Sequence, residues 1–243
     1  MDCMAMNRTR ISAKRTPHDL VVFGLLLATE LFSSGALAEC ADSSGPGVDW
    51  SKCDKRLLIL SNQDMSKGQL ARTDFGRSDL SGAKLADVAA SGATFDYARL
   101  RGADLSRAKL LKITAYRADF GGARLVGADL NKAELPRTNF IKANLSGANL
   151  RKAELSRSTL QGAHLTRANL AGADLARANL KGAKLAGAKF KNARLFQTRI
   201  EGVDLSAVIG LRQRQVNEAC GDANTKLPSG LNHPASWPCR LDD

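Results

Sequence analysis

A five-residue alternation of apolar and polar side chains runs through most of the chain. Each repeat has a small residue, a polar residue, a leucine and two variable residues. Of the 26 residues at multiples of five from Leu80 to Leu205, 24 are Leu, Phe or Ile, and 19 of the residues two positions earlier are alanine. An α-helix rotates by about 500° over five residues, and strand side chains alternate with period two. Neither element would therefore place these leucines on one side.

The pattern predicts a chain that turns a corner once in every five residues. Four corners close a coil of about 20 residues, with the alanine and the leucine inside and the other three positions facing water. Stacked coils hydrogen-bond at about 4.8 Å spacing. Phe75 and Phe95, and likewise Phe120 and Phe140, are 20 residues apart and are expected to stack in the interior. The range 58–207 would then form about seven coils.

The centre of the repeat has a recurrent sequence, alanine followed by Asp or Asn and then leucine. Examples are Ala103-Asp104-Leu105, Ala128-Asp129-Leu130, Ala148-Asn149-Leu150 and Ala173-Asp174-Leu175. In these residues the chain resembles the pentapeptide-repeat family, and the resemblance extends over residues 58–207. It implies an all-β fold, a right-handed quadrilateral β-helix. It implies almost nothing about activity, because function depends on sites rather than on folds.

Residues 1–38 are interpreted as a secretory signal peptide. A basic leader precedes the apolar run Leu20–Ala28, and Ala36-Leu37-Ala38 forms a small-x-small cleavage site. A retained membrane anchor is an alternative, although Glu30 interrupts the apolar run. A lipid-modified Cys40 is another, although Glu39 stands where such signals have a small residue. The signal-peptide interpretation predicts a periplasmic or secreted bacterial protein. Capped solenoid ends favour a monomer or weak dimer.

Of the five cysteines, Cys3 lies in the interpreted signal peptide, and the other four lie two on each side of the repeats. An even number of cysteines predicts one disulfide at each end of the chain in an oxidising compartment. Three pairings of Cys40, Cys53, Cys220 and Cys239 are open, and Cys40–Cys53 with Cys220–Cys239 closes the shortest loops. The alternatives are free thiols in a cytosolic protein or a metal site, which would lack a Cys-x-x-Cys or clustered histidines.

The flanks of the repeats are expected to cover the ends of the solenoid. Residues 39–57 are predicted as an N-terminal cap, with Trp50 over the first coil. Residues 208–243 are predicted as a C-terminal cap, with a short helix within 211–219. Such cover is needed because the end of a solenoid is an open sheet edge.

The sequence offers no reactive constellation. Leucine and alanine fill the core in strict order, and no glycine-rich phosphate loop is present. His164 is expected to point outward, with no second histidine one coil away. We therefore expect no enzyme activity, no cofactor, no metal and no small-molecule substrate.

Charge gives the strongest functional signal. The net charge is +12, and residues 39–243 carry 32 Lys and Arg against 21 Asp and Glu, or +11. Positions 20 apart collect basic residues on two neighbouring faces: Arg77, Arg117, Arg137, Arg157 and Arg177 on one, and Lys112, Lys132 and Lys152 on the other. A glycine series is predicted opposite the lysines.

Two interpretations of the basic positions are open. In the first, the arginines are solvated and partly neutralised by Glu134, Glu154 and Asp174, each three residues before an arginine. In the second, they form a docking strip for a polyanion, namely lipopolysaccharide, acidic polysaccharide, an acidic protein or nucleic acid.

The functional hypothesis is an exported, non-catalytic scaffold or binding protein that engages an anionic envelope polymer or an acidic protein. The alternative, implied by the resemblance, is a topoisomerase-binding DNA mimic like the quinolone-resistance members of the family. Those members have acidic surfaces, whereas this chain is basic and begins with a signal-like segment.

Overall fold

The computed structural model describes residues 40–239, and these residues form a stack of square coils. Parallel bridges join residues 20 apart, from Asp49↔Gln69 through Lys189↔Ile209. Every repeat consists of three extended residues, with the bridge at the middle one, followed by a two-residue corner. The strands are single bridges at every fifth residue from Asp49 to Ile209, so the predicted bend once per five residues is confirmed.

The leucine and alanine positions form the core. Along the repeats both positions are almost completely buried, as at Ala103 and Leu105. The ring centroids of Phe75 and Phe95 lie 5.3 Å apart and are stacked, and those of Phe120 and Phe140 lie 5.1 Å apart. The predicted interior stacking of phenylalanines is therefore confirmed.

Two repeats exchange the sizes of their inward side chains. Ala90 and Ala115 occupy leucine positions, and in the same repeats Val88 and Ile113 occupy the alanine positions, all fully buried. The smaller alanine at the leucine position is compensated by the larger valine or isoleucine two residues earlier. This keeps each coil filled, as the dense packing of protein interiors requires.

The coils begin before the predicted boundary at residue 58. Trp50 lies on the five-residue phase and is only 2% exposed, with its ring 6.4 Å from that of Phe75. It fills the first coil rather than covering it, so its predicted placement is wrong. Lys55, at the next leucine position, places its amine 3.7 Å from the Trp50 ring and donates a 2.6 Å hydrogen bond to the Cys40 carbonyl.

At the C-terminal end of the stack, the chain departs from the five-residue repeat and then bridges to the coils again. Helix α1 spans Gln213–Glu218, within the predicted range 211–219. Bridges then resume as Arg199↔Cys220 and Asp204↔Lys226, beyond the predicted boundary at residue 207. The buried Gln215 amide donates to the carbonyls of Phe190 and Ala193 at 2.8 Å each, so it pairs carbonyls that no further coil reaches.

Both disulfides join cysteines from the same flank. Cys40 pairs with Cys53 and Cys220 with Cys239, with Cα–Cα distances of 5.4 and 5.2 Å. This is the pairing with the shortest loops. Because the Cys40 sulfur is bonded to Cys53, it is not free to carry a lipid. The interpreted signal peptide lies outside the described residues. No helix in the described range 40–239 has the length and apolarity to cross a membrane.

Candidate anion-binding surface

The second residue of each corner has a left-handed backbone. The φ angle is 57° at Arg137, 56° at Lys132 and 66° at Gly122. A left-handed backbone costs a residue with a Cβ about 1 kcal/mol or more, because the Cβ approaches a carbonyl oxygen. Glycine avoids this cost, so every other residue at these positions makes the fold less stable through its backbone conformation.

The predicted basic residues occupy this strained position at two neighbouring corners. The arginine column consists of Arg77, Arg117, Arg137, Arg157 and Arg177, and the lysine column of Lys112, Lys132 and Lys152. All eight side chains are exposed. The 20-residue register places members of a column one or two coils apart, with one flat face between the two columns. The structure therefore brings these residues together, at corners rather than on faces.

The two columns have no carboxylate partners. Among residues 40–239, no carboxylate oxygen lies within 4.0 Å of a charged nitrogen of either column. Other cations are paired: Arg107 meets Asp87 at 2.6 Å, and Arg99 meets Asp79 at 3.1 Å. The hydrogen bond from Arg107 holds the pKa of Asp87 below its usual range.

The neutralisation predicted for the arginines does not occur by direct pairing. Asp174 contacts Arg194 at 3.4 Å instead of Arg177, and the Arg177 guanidinium donates to Gln197 at 2.8 Å. Glu134 and Glu154 form successive bridges on the flat face, whereas the arginines stand on the following corner. The carboxylates thus form an acidic stripe between the columns. The stripe makes the electrostatic potential of the surface less positive but forms no direct ion pair with the columns among residues 40–239.

Two tyrosines interrupt the arginine side of this surface. Tyr97 occupies the column position between Arg77 and Arg117, and its ring lies 5.4 Å from that of Tyr116 in an edge-to-face arrangement. The Arg77 guanidinium lies 5.7 Å from the Tyr97 ring, and that of Arg117 lies 5.3 Å from the Tyr116 ring. Cation–π contact of this kind orients a guanidinium without neutralising it.

At the corner opposite the lysine column, the left-handed position is mostly without a side chain. Its left-handed position holds glycine on most coils and one lysine: Gly82, Gly102, Gly122, Lys142, Gly162, Gly182 and Gly202. A Cβ added at Gly102, Gly122 or Gly202 would meet no atom within 4 Å. Backbone conformation, rather than lack of space, accounts for these glycines. Most of the cations at left-handed positions are accordingly at the two neighbouring corners of the columns.

The lone histidine of the repeats lies on the outside of the coil. His164 is half-buried on a flat face, bridged between Asn144 and Lys184. No group of three His, Cys, Asp or Glu side chains within 40–239 is placed to hold a metal ion.

The repeat matches a known family. The family model for pentapeptide repeats matches the chain in 8 copies, over residues 73–110, 118–157, 153–192 and 173–209. These matches cover more than half of the chain. The chain belongs to the pentapeptide-repeat family. Pentapeptide-repeat proteins form right-handed quadrilateral β-helices, which agrees with the square coil observed here.

Solved pentapeptide-repeat structures resemble parts of the chain. HetL, involved in heterocyst differentiation regulation in the cyanobacterium Nostoc sp. strain PCC 7120, is 25% identical over 77% of this chain and 86% of its own, with a TM-score of 0.38. Rfr23 from the cyanobacterium Cyanothece 51142 is 30% identical over 51% of this chain and 63% of its own, with a TM-score of 0.33.

A trypsin-treated form of QnrB1, a plasmid-mediated fluoroquinolone resistance protein, is also similar. It is 20% identical over 71% of this chain and 90% of its own, with a TM-score of 0.35. No curated protein matches the sequence significantly. The family assignment rests on the repeat match, because TM-scores this low add nothing to it.

Proposed function

We propose that this protein is an exported, non-catalytic scaffold that docks an anionic envelope polymer or an acidic protein on its arginine and lysine columns. The observation that carries the proposal is that eight exposed cations on two neighbouring corners have no carboxylate partner among residues 40–239. Elsewhere on the same coils, arginine and lysine side chains pair with aspartates one coil away, as Lys84 does with Asp64 at 3.4 Å.

The backbone supports a role for these side chains beyond folding. Glycine occupies the same left-handed corner position at Gly102 and Gly122, where a side chain would have room. At Arg137 and Arg157 the chain instead carries a residue with a Cβ, at φ 57° and 58°. Strained residues persist where the surrounding structure imposes them, and they cluster at functional sites.

Repulsion within each column supports the same conclusion. Two unit charges 4.8 Å apart repel by about 0.9 kcal/mol in water before screening by salt. A polyanion that spans several coils relieves this repulsion and releases its own counterions.

Export and capping are part of the proposal. Two disulfides near the chain ends are typical of proteins from oxidising compartments. Together with the signal-like residues 1–38, they support a periplasmic or secreted location. We assign capping to residues 39–57 and 208–243, supported by the hydrogen bond from Lys55 to the Cys40 carbonyl at one end and by Gln215 at the other. The DNA-mimic alternative requires acidic columns, and these columns are basic.

Heparin chromatography with a salt gradient tests the polymer site. The test variant replaces four arginines with glutamine: Arg117, Arg137, Arg157 and Arg177. The matched control replaces four exposed cations that have no carboxylate within 4.0 Å among residues 40–239, on the other corners and faces: Lys142, Arg167, Lys181 and Lys184.

The two variants have the same net charge. We expect the test variant to elute at clearly lower salt than the control, with a salt dependence shallower by up to about one for each arginine that contacts the polymer. Equal elution of the two variants would show that binding follows net charge alone, and would eliminate the columns as a site.

A further inference from the structure

A notch in the surface lies beside Lys152, at the C-terminal end of the lysine column. It has a volume of about 480 Å³ and is open to solvent. Four cations line it, Arg151, Lys152, Lys189 and Lys191, and Ala171 is among the short residues that line it with them.

The notch results from short side chains on one coil between two coils with long ones. The corner Ala171-Gly172 lies between the corner that carries Arg151 and Lys152 and the corner that carries Lys191. Coils are about 4.8 Å apart, so the flanking corners are about 10 Å apart, which leaves room for a small anion between them. Gly172 has a left-handed backbone at φ 69°, and a Cβ there would lie 3.5 Å from the Lys152 Cγ atom.

All the charged residues that line the notch are cations. No Asp or Glu lines it, and within residues 40–239 no carboxylate lies within 4.0 Å of the charged nitrogens of its four cations. Asn169 also lines it, and its Oδ1 atom accepts the Ala171 backbone N–H at 3.2 Å. That bond leaves the NH₂ group of Asn169 as a further hydrogen-bond donor.

We propose that this notch binds a phosphate group, either a diphosphate or a phosphomonoester. Phosphate carries more than one negative charge and several acceptor oxygens, which suits a guanidinium, three ammonium groups and an amide. Ile209, which is 55% exposed, borders the notch and offers an apolar contact to the group that carries the phosphate. The site shares only Lys152 with the columns, so it does not depend on the proposed polymer binding.

Calorimetric titration with inorganic pyrophosphate at low salt tests the site. The first variant is Arg151→Gln, Lys189→Gln, Lys191→Gln, which retains Lys152. Its matched control is Lys142→Gln, Lys181→Gln, Lys184→Gln, with the same loss of charge on the opposite side of the coil. We expect one pyrophosphate per chain, with affinity about tenfold weaker in the first variant and changed by less than about twofold in the control.

A second variant fills the notch without removing a charge. Ala171→Phe enlarges a first corner position where other coils already hold long side chains, such as Arg151 and Lys191. We expect it to abolish pyrophosphate binding and to leave heparin elution unchanged, which separates this site from the columns. Undetectable pyrophosphate binding by the native protein, or equal losses in the first variant and its control, would overturn the proposal.

The source of the phosphate is distinguished by sedimentation with vesicles that contain phosphatidic acid. Sedimentation that pyrophosphate competes away identifies a lipid phosphomonoester as a ligand. Pyrophosphate binding without sedimentation identifies a soluble phosphate compound. Both results support a phosphate site in the notch.

Discussion

Replacing the arginines of the column by glycine separates their contribution to folding from their contribution to binding. In the four-glycine variant, Arg117, Arg137, Arg157 and Arg177 all become glycine. Their φ angles lie between 54° and 58°, so glycine fits the existing backbone. Relief of the left-handed strain favours the variant by about 1–2 kcal/mol per site, and the greater freedom of glycine in the unfolded chain opposes it by about 0.5–1 kcal/mol.

Two smaller effects act in opposite directions. Three neighbouring arginine pairs are removed, each repelling by about 0.9 kcal/mol in water before screening. Against this, the aliphatic part of a corner side chain covers the next corner, as the Lys152 Cγ does near Gly172, and that contact is lost. We expect the free energy of unfolding to stay the same or to rise by up to a few kcal/mol.

Urea unfolding followed by circular dichroism measures the change, and heparin elution is recorded on the same samples. The expected pair of results is an unchanged or higher midpoint together with elution at lower salt. A loss of stability greater than about 2 kcal/mol would refute the reasoning, because the arginines would then be needed for the fold itself. Glutamine at the same four sites is the control, since it removes the charge but keeps the strain.

Three further results are expected. Glu134→Gln with Glu154→Gln should raise the salt needed to elute the protein from heparin, because the acidic stripe between the columns is removed; unchanged elution would mean that the polymer lies elsewhere. Ile113→Ala should cost about 3–4 kcal/mol in thermal or urea unfolding, because both inward positions of that repeat then hold alanine. Acid should destabilise the protein. The hydrogen bond from Arg56 lowers the pKa of Asp54 to about 2 in the folded protein. The ionised Asp54 therefore stabilises the fold above about pH 4, its pKa in the unfolded chain, and this stabilisation is lost as the pH falls towards about 2. Unfolding curves at pH 5 and pH 2.5 that coincide would contradict this.

Periodicity was sufficient to predict the coil because one geometric requirement repeats without interruption. A leucine at every fifth residue has no buried arrangement on a helix or a flat strand, so the corner is the remaining solution. The same reasoning failed at Trp50, whose apparent isolation from the leucines suggested a cover. Its position at a multiple of five, followed by Lys55 and Leu60, was the signal that the first coil had already begun.

Pairing between charges was harder to predict, because it depends on side-chain direction within a coil. Glu134 lies three residues before Arg137, and sequence spacing alone suggested an ion pair. The structure separates them, because one stands on the flat face and the other on a corner. Pairs such as Arg107 with Asp87 form instead between residues 20 apart at the same position of the coil. A search for opposite charges 20 residues apart would have found them.

The notch was missed because its residues occupy different positions of the repeat. Arg151 and Lys191 are first corner residues, whereas Lys152 is a second corner residue and Lys189 lies on the adjoining flat face. A comparison of only the second corner residues at 20-residue intervals therefore does not reveal these four cations as neighbours. The order of leucine and alanine predicts the inside of the coil and does not bear on the outer surface, where short side chains on one coil create a depression.

The outer side chains of this fold are therefore informative about function in a way that those of most domains are not. Inward residues and corner backbones are nearly identical from coil to coil, so neither packing nor backbone geometry demands arginine at one corner and glycine at another. Gly122 and Arg117 have the same left-handed conformation, yet only one carries a charge. Identical backbone positions hold different residues here, and the costlier residue recurs in a column with no ion-pair partner among residues 40–239. Binding of another molecule by that column is therefore the hypothesis that the arginine variants test.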